Sequence, residues 1–244
     1  MTNEYTALAK FYEEIIYDDN YKSWMEYLVK IVKDNSLGKV GLDVACGSGI
    51  LTRILKRNGF DVMGVDVSQE MLNVAQEKTY QEKLNIRYLK CDMKSLKALN
   101  KVDFITVIND GINYIESKFL LKTFKNFYNS LKKGGTLIFD VSSPYKLKKV
   151  LSNNAFGDDS DDLSYLWLNS YDNKLNAVDI SLSIFKKEGD RYIRYNESQI
   201  QYVHEVEDLI ENITKAGFTI VKICGGFGEE LKENTERILF IIRK

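Results

Sequence analysis

Apolar and polar positions alternate in two rhythms along this chain. Trp24, Tyr27, Leu28 and Ile31 recur at i, i+3, i+4 and i+7, so residues 21–33 read as a helix with one apolar stripe. Residues 40–45 read as a strand. Leu51, Ile54 and Leu55 share one face of the next helix, which Gly59 ends from the position just past its cap. Residues 60–67 (FDVMGVDV) read as a second strand, and 69–83 as a helix with Ser68 as N-cap. Residues 85–93 hold a third strand and 102–110 a fourth. Leu120, Phe124, Phe127 and Leu131 give a further helix stripe, followed by Gly134-Gly135 and a fifth strand over 136–142. Strands alternating with helices predict a doubly wound α/β fold, with a mostly parallel sheet covered on both faces.

After residue 150 the rhythm changes. Residues 152–162 (SNNAFGDDSDD) are polar and acidic and read as a loop. Val178, Ile180, Leu182 and Ile184 then alternate with polar neighbours, the period of a half-buried strand, and KKEGDR (186–191) carries a hairpin signal. Antiparallel strands are expected near 164–171, 176–186 and 191–203. The first rhythm returns with Val206, Leu209, Ile210 and Ile213 on one helix face, Gly217 at its end, and strands at 218–224 and 237–244. The division expected is a Rossmann-like domain from residues 1–150 and 204–244, with seven strands, and an inserted antiparallel β subdomain over 151–203. The insertion reads as a cap over an acceptor site or as a face for a homodimer.

Composition narrows the function classes. The 244 residues carry 34 basic and 35 acidic side chains, a net charge of −1. A general nucleic-acid binder would show a basic excess, so none is expected. The three cysteines form no CxxC pair, so neither a metal site nor a disulfide framework is expected, which suits a cytoplasmic location. The N-terminal stretch is too acidic and polar for a signal peptide, and no apolar run approaches the length of a membrane helix.

The candidate chemistry sits at the carboxyl ends of the strands. In LDVACGSGIL (42–51) a strand meets a helix through two glycines and a serine. At such a junction the first helical N–H groups lack partners, and glycine lets the chain turn tightly while a ligand approaches the backbone. The dinucleotide fingerprint G-x-G-x-x-G/A is not met, because Thr52 occupies its third position. A P-loop is absent. Asp66 ends the second strand, where a carboxylate can accept ribose hydroxyls. Asp92 ends the third, beside Met93, where a carboxylate and an apolar neighbour can read an adenine. Each aspartate taken alone reads as a helix cap or turn residue; three such features on consecutive strands point to a site.

These motifs carry a family resemblance. VGLDVACGSG, then GVDVSQEML, then CDM, then NDGINY (109–114), then LKKGGTLIFD resemble the class I S-adenosylmethionine-dependent methyltransferases. The likeness covers 36–142 and agrees with the elements at 206–244. The stretch FYEEIIYDDNYKSW resembles the lead-in of a bacterial branch acting on small molecules, with Glu13 in place of the usual aspartate. The resemblance implies S-adenosyl-L-methionine as cofactor and S-adenosyl-L-homocysteine as product. It implies that Asp43, Gly47, Ser48 and Gly49 hold the methionine part, with Ala45 allowing close approach. Asp66 would take the ribose, Val67 and Met71 would lie beside the adenine, and Asp92 and Met93 would bracket it. Asn109 and Asp110 would face the methionine and the acceptor. Tyr12, Tyr21 and Trp24 would close over the cofactor; on its helix stripe Trp24 also reads as plain core.

Methyl transfer from a sulfonium is an in-line displacement that needs alignment, and a base only when the acceptor has a proton to lose. No catalytic residue is assigned; His204, the only histidine, and Tyr114 are the candidates. The fourth-strand motif is not Asn-Pro-Pro-Tyr, which disfavours amide and exocyclic base nitrogens as acceptors. The expected acceptor is a nitrogen or oxygen of a small molecule. The competing readings are a module that binds S-adenosylmethionine without transferring its methyl group, a methyltransferase acting on RNA or protein, and a nicotinamide-dependent oxidoreductase.

Overall fold

The computed structural model describes residues 8–16, 18–97 and 100–244. The signal-peptide reading falls partly on residues 1–7, outside the described residues. The main sheet contains β1 (Val40–Val44), β2 (Asp61–Asp66), β3 (Tyr88–Lys90), β4 (Val102–Val107), β5 (Leu131–Ser142), β10 (Thr219–Gly225) and β11 (Arg237–Arg243), in the order β3-β2-β1-β4-β5-β11-β10. The first five strands are parallel, and β11 runs antiparallel to both β5 and β10. The order reverses between β1 and β4, which opens a crevice at their carboxyl ends.

Helices α2 (Asp19–Asn35) and α3 (Ile50–Arg57) cover one face, and α5 (Ser117–Ser130) and α6 (Val206–Lys215) the other. Neighbouring residues of a strand point to opposite faces. Ile138 and Leu239 accordingly pack with Leu28 and Leu55, whereas Phe139 and Phe240 pack with Phe124 and Phe127. Phe139 and Phe240 stack at 4.7 Å. Both layers are buried and apolar, which is why these strands read as near-continuous apolar runs. The helix starts follow the sequence. Asp18 caps α2 by accepting from Tyr21 N, and Ser68 caps α4 (Gln69–Gln81) by accepting from Met71 N.

A second sheet lies between β5 and α6 in the chain. It comprises β6 (Ala155–Asp158), β7 (Leu163–Asp172), β8 (Ala177–Glu188) and β9 (Arg191–Tyr202), antiparallel in that order. The three long strands fall where expected, and Gly189 (φ +62°) makes the β8–β9 turn. Leu182 and Ile184 pack with Leu8, Ala9 and Phe11 of the N-terminal segment and with Met71 of α4, while Val178 and Ile180 pack with Leu147 and Leu151. One face of this sheet therefore closes over the carboxyl ends of the main sheet, with the short helix α1 (Tyr12–Ile16) between them.

Two details differ from the expectations, and a third was not anticipated. Residues 155–158 are an edge strand paired to β7, not a loop; all four are exposed, so no apolar period marks them. Strand β5 begins at Leu131, so the last position of the predicted helix stripe is already strand. Lys146–Leu151 form a wide helical turn that leads into the second sheet. Among the described residues no helix is long and apolar enough to cross a membrane.

Candidate active site

The junction after β1 is built from left-handed backbone. Ala45, Gly47 and Gly49 have φ of +55°, +53° and +78°, and Gly49 is the N-cap of α3. A Cβ on Gly49 would lie 2.6 Å from the Tyr88 hydroxyl. Two aspartates hold this turn. Asp66 accepts from Gly47 N through Oδ2 at 2.8 Å and from Ser68 N through Oδ1 at 2.9 Å, joining the turn to the start of α4. Burial pushes its carboxyl above the usual range, and those two N–H groups oppose the shift. Asp43 is 2% exposed and accepts from the Thr52 and Thr106 hydroxyls at 2.6 and 2.7 Å. Burial pushes its carboxyl up to about 6 against the two threonines. Thr52, which breaks the dinucleotide fingerprint, is thus a hydroxyl donor to the motif's own aspartate.

Two cavities, of about 170 and 240 Å³, lie in the crevice. The first is lined by Asp43, Ala45, Gly47 and Ser48 from the turn, by Asp66, Val67 and Met71 at β2–α4, and by Asp92 and Met93 after β3. The second lies under the second sheet. Trp167, Ile180 and Leu182 form its apolar wall with Leu8, Ile15 and Ile16, and Glu197, Gln199 and Gln201 face it from β9. The register places Trp167, Leu182 and Glu197 in one cross-strand row. Asp110, Lys146 and Arg237 complete it. Four side chains line both cavities: Tyr12, Tyr21, Asn109 and Tyr114.

This shared neck is polar and tightly held. Asn109 Nδ2 donates to the Tyr21 hydroxyl at 2.6 Å. Asn109 and Asp110 both have left-handed backbone, φ +59° and +54°, which asparagine and aspartate tolerate better than other side chains. Burial raises the Tyr12 and Tyr21 hydroxyl pKa well above the phenol range, so both are neutral at physiological pH. The Tyr114 hydroxyl donates to Gln199 Oε1 at 2.9 Å and accepts from Gln201 Nε2 at 3.2 Å. Beside it, buried Asn113 donates to the Ser142 and Tyr202 carbonyls and accepts from Ser142 N, tying β5 to the end of β9.

Most of the expected site residues converge on the first cavity. Trp24 does not. It is 4% exposed in the core, stacked on Tyr27 with the Arg237 guanidinium over its ring at 5.3 Å. The helix stripe accounts for its place in the core. Gly49 is not among the lining residues either and acts as the cap of α3. Asp110 lines only the second cavity, with Oδ2 accepting from Ser142 Oγ at 2.8 Å. His204 is buried, with Nδ1 3.4 Å from Ser117 Oγ, and lines neither cavity; burial lowers its pKa and keeps it neutral. Sequence reading missed the polar row on β9, Trp167, and the ion pair of Arg237 with the fully buried Asp140. Alternation on β9 marks which residues share a face, but not what that face covers.

The first cavity suits a ligand with a flat apolar part and several hydrogen-bonding groups. Ser48 Oγ and Asn109 Oδ1 are buried without a protein partner, and both residues line it. A Cβ on Gly47 would stand 4.0 Å from both Met71 Sδ and Tyr12 Cε1 and begin to fill it. Doubly wound sheet, glycine turn and strand-end carboxylates together define a Rossmann-like enzyme that takes a nucleoside-bearing cofactor.

The profile of a family described as a methyltransferase domain matches residues 42–135. A putative methyltransferase of Geobacillus sp. (strain WCH70) is 32% identical over 248 residues, covering 98% of this chain and 99% of that protein. The crystal structure of an S-adenosylmethionine-dependent methyltransferase from Clostridium acetobutylicum ATCC 824 superposes with a TM-score of 0.87 at 32% identity, over 96% of this chain and 95% of that one. CalS10, an amino pentose methyltransferase from Micromonospora echinaspora, shares the fold at 15% identity, with a TM-score of 0.70 over 92% of this chain and 90% of that one. The chain belongs to the class I S-adenosylmethionine-dependent methyltransferases.

Proposed function

We propose that this enzyme methylates an amine nitrogen of a small molecule held in the second cavity, with residues 151–203 as the acceptor cap and residues 1–150 and 204–244 as the donor domain. The observation that carries this reading is the pair of cavities meeting at Tyr12, Tyr21, Asn109 and Tyr114. S-adenosylmethionine supplies a methyl group already activated by its sulfonium. The chain's task is then to bind, align and exclude water, and alignment by itself lowers such a barrier by about 7–11 kcal/mol.

The donor side divides among the turn and the strand ends. Asp43, Ala45 and Gly47 to Gly49 would shape and hold the methionine end, with Gly49 acting through the backbone. Asp66 would take the ribose with the lone pairs left by Gly47 N and Ser68 N. Val67 and Met71, with Asp92 and Met93, would enclose the adenine. Tyr12, Tyr21 and Asn109 would close the neck against water.

Nitrogen is favoured over an alcohol oxygen by what surrounds the neck. An alcohol needs a base matched to its proton: burial holds Tyr12 and Tyr21 neutral, the Tyr114 hydroxyl is engaged with Gln199 and Gln201, and His204 lines neither cavity. An amine that arrives unprotonated brings its own lone pair. After alkylation the ammonium product carries its extra proton out to solvent, so no protein base is needed at the moment of transfer. Glu197 adds a second carboxylate, after that of Asp110, to the cavity wall, where Lys146 also lies, while Arg237 is paired with Asp140. The walled cavity and the near-neutral charge favour a small molecule over RNA or protein, and three scattered cysteines favour the cytoplasm.

Thermal melting with S-adenosylhomocysteine, NADH and no ligand tests the donor side. At about 100 times its dissociation constant a ligand adds roughly 2.7 kcal/mol, a rise of about 5–10 °C. A rise with S-adenosylhomocysteine alone, lost in Asp66→Ala, is expected; a rise with NADH alone would overturn the reading. S-adenosylhomocysteine release is then compared for primary amines and for alcohols of the same skeleton, and turnover confined to alcohols would refute the nitrogen assignment.

A further inference from the structure

Arg53 has no place in the donor or acceptor contacts described so far, yet it is 4% exposed and fully engaged. It lies one turn into α3, and its guanidinium reaches three separate parts of the chain. Nη1 donates to the Ser48 carbonyl at 2.6 Å, inside the glycine turn. Nε donates to Glu82 Oε1 at 2.9 Å, at the C-cap of α4. Nη2 donates to Glu13 Oε1 at 3.0 Å, in α1. Glu13 is also the position at which the sequence departs from the aspartate of the family's lead-in.

Three consecutive residues of α1 face three different bodies. Tyr12 enters the neck and lines both cavities. Glu13 reaches the donor side through Arg53. Glu14 pairs with Lys186 Nζ at 2.9 Å on β8 of the second sheet. The Leu8–Ile16 stretch is thus held to the donor domain by one ion pair and to the cap by another, with Phe11 against Tyr195 at 5.1 Å adding to the cap side. Ser48 is where these restraints meet the ligand: its carbonyl is bound by Arg53, while its own hydroxyl is buried in the first cavity without a partner.

We infer that Arg53 is a positioning residue that couples occupation of the donor cavity to the placement of Tyr12 at the neck, through Ser48 on one side and Glu13 on the other. A ligand that fixes the glycine turn fixes the Ser48 carbonyl, hence the guanidinium, hence Glu13 and the residue beside it. The acceptor cavity then gains its Tyr12 wall after the donor is in place, which makes binding ordered, donor first. Glu82 keeps Arg53 paired when Glu13 lets go, so the segment can open without stranding a buried charge. The inference rests on the first cavity being the S-adenosylmethionine site.

The test combines titration calorimetry with S-adenosylhomocysteine and hydrogen exchange of the amides of 8–16, on wild type, Glu13→Gln, Glu14→Gln and Arg53→Lys. In wild type and Glu14→Gln the ligand should slow exchange over this segment. In Glu13→Gln that slowing should vanish and affinity should fall about fivefold, the range of one partly buried ion pair. Arg53→Lys keeps the charge but not the three-way fork and should lie between. Equal ligand-induced protection in Glu13→Gln and wild type, with affinities within twofold, would overturn the coupling while leaving the donor site standing. If wild type failed to bind S-adenosylhomocysteine, the donor reading would fail, and the coupling with it. Should Arg53→Lys not fold, the two glutamate variants decide.

Discussion

Asp43 shows how one residue trades stability for shape. Its carboxylate is out of water and satisfied by two hydroxyls rather than by a cation, so its pKa sits near 6 instead of 3.8. A folded pKa above the unfolded one means that the folded chain holds the proton longer. The stabilisation from this group is complete below the unfolded pKa and is lost as pH rises through about 6. The size of the shift corresponds to about 3 kcal/mol. Asp43→Asn, which keeps one acceptor and removes the charge, should flatten the pH dependence of unligated stability between about 4 and 6. Urea unfolding across that range reads it directly; an unchanged slope would show that Asp43 is not buried as a carboxylate. The sequence identified Asp43 but not its partners, because Thr52 and Thr106 come from a helix and a neighbouring strand.

The strand–turn–helix element from β1 to α3 concentrates its demands on a few backbone angles. Gly49 combines left-handed φ with close approach: an added Cβ would meet the Tyr88 hydroxyl at 2.6 Å and Ala75 Cβ at 3.1 Å. The Tyr88 hydroxyl is itself held by Thr79 at 2.9 Å, so it cannot swing away freely. Gly49→Ala should cost about 1–3 kcal/mol, which lowers Tm by roughly 2–12 °C for a chain of this length. Calorimetry would show it, and an unchanged Tm would mean that the turn adapts. This element was legible because its glycines and apolar runs are local signals. Strand β6 was not. Its four exposed residues carry no period, and only the hydrogen bonds offered by β7 make them a strand.

At the scale of the molecule, the second sheet serves one cavity and not the other. It supplies one wall of the second cavity and no lining residue of the first. Trp167→Ala removes the largest apolar surface of that wall while leaving the glycine turn untouched. The thermal shift with S-adenosylhomocysteine should persist, while KM for an amine acceptor rises about tenfold, the loss of about 1.4 kcal/mol of contact. Loss of the thermal shift in this variant would show that the two cavities are not separable. Arg237 links the same wall to the core, paired with buried Asp140 and lying over Trp24. Trp24 lies in the core and lines neither cavity, where the resemblance expected a lid.

The sequence by itself determined the order of the main-sheet elements, the Rossmann-like class and the strand-end carboxylates, because each rests on local periodicity or short-range turn chemistry; the cofactor followed from the family resemblance that those motifs carry. Tertiary structure decided which of those residues share a cavity. It set Trp24 and His204 away from both cavities and brought Glu197, Gln199, Gln201 and Trp167 to line the second from far along the chain. It also gave Arg53 three partners that no spacing predicts. The physical reason is the same throughout: a strand's alternation fixes which side chains share a face, but what that face meets is fixed only when the sheets pack.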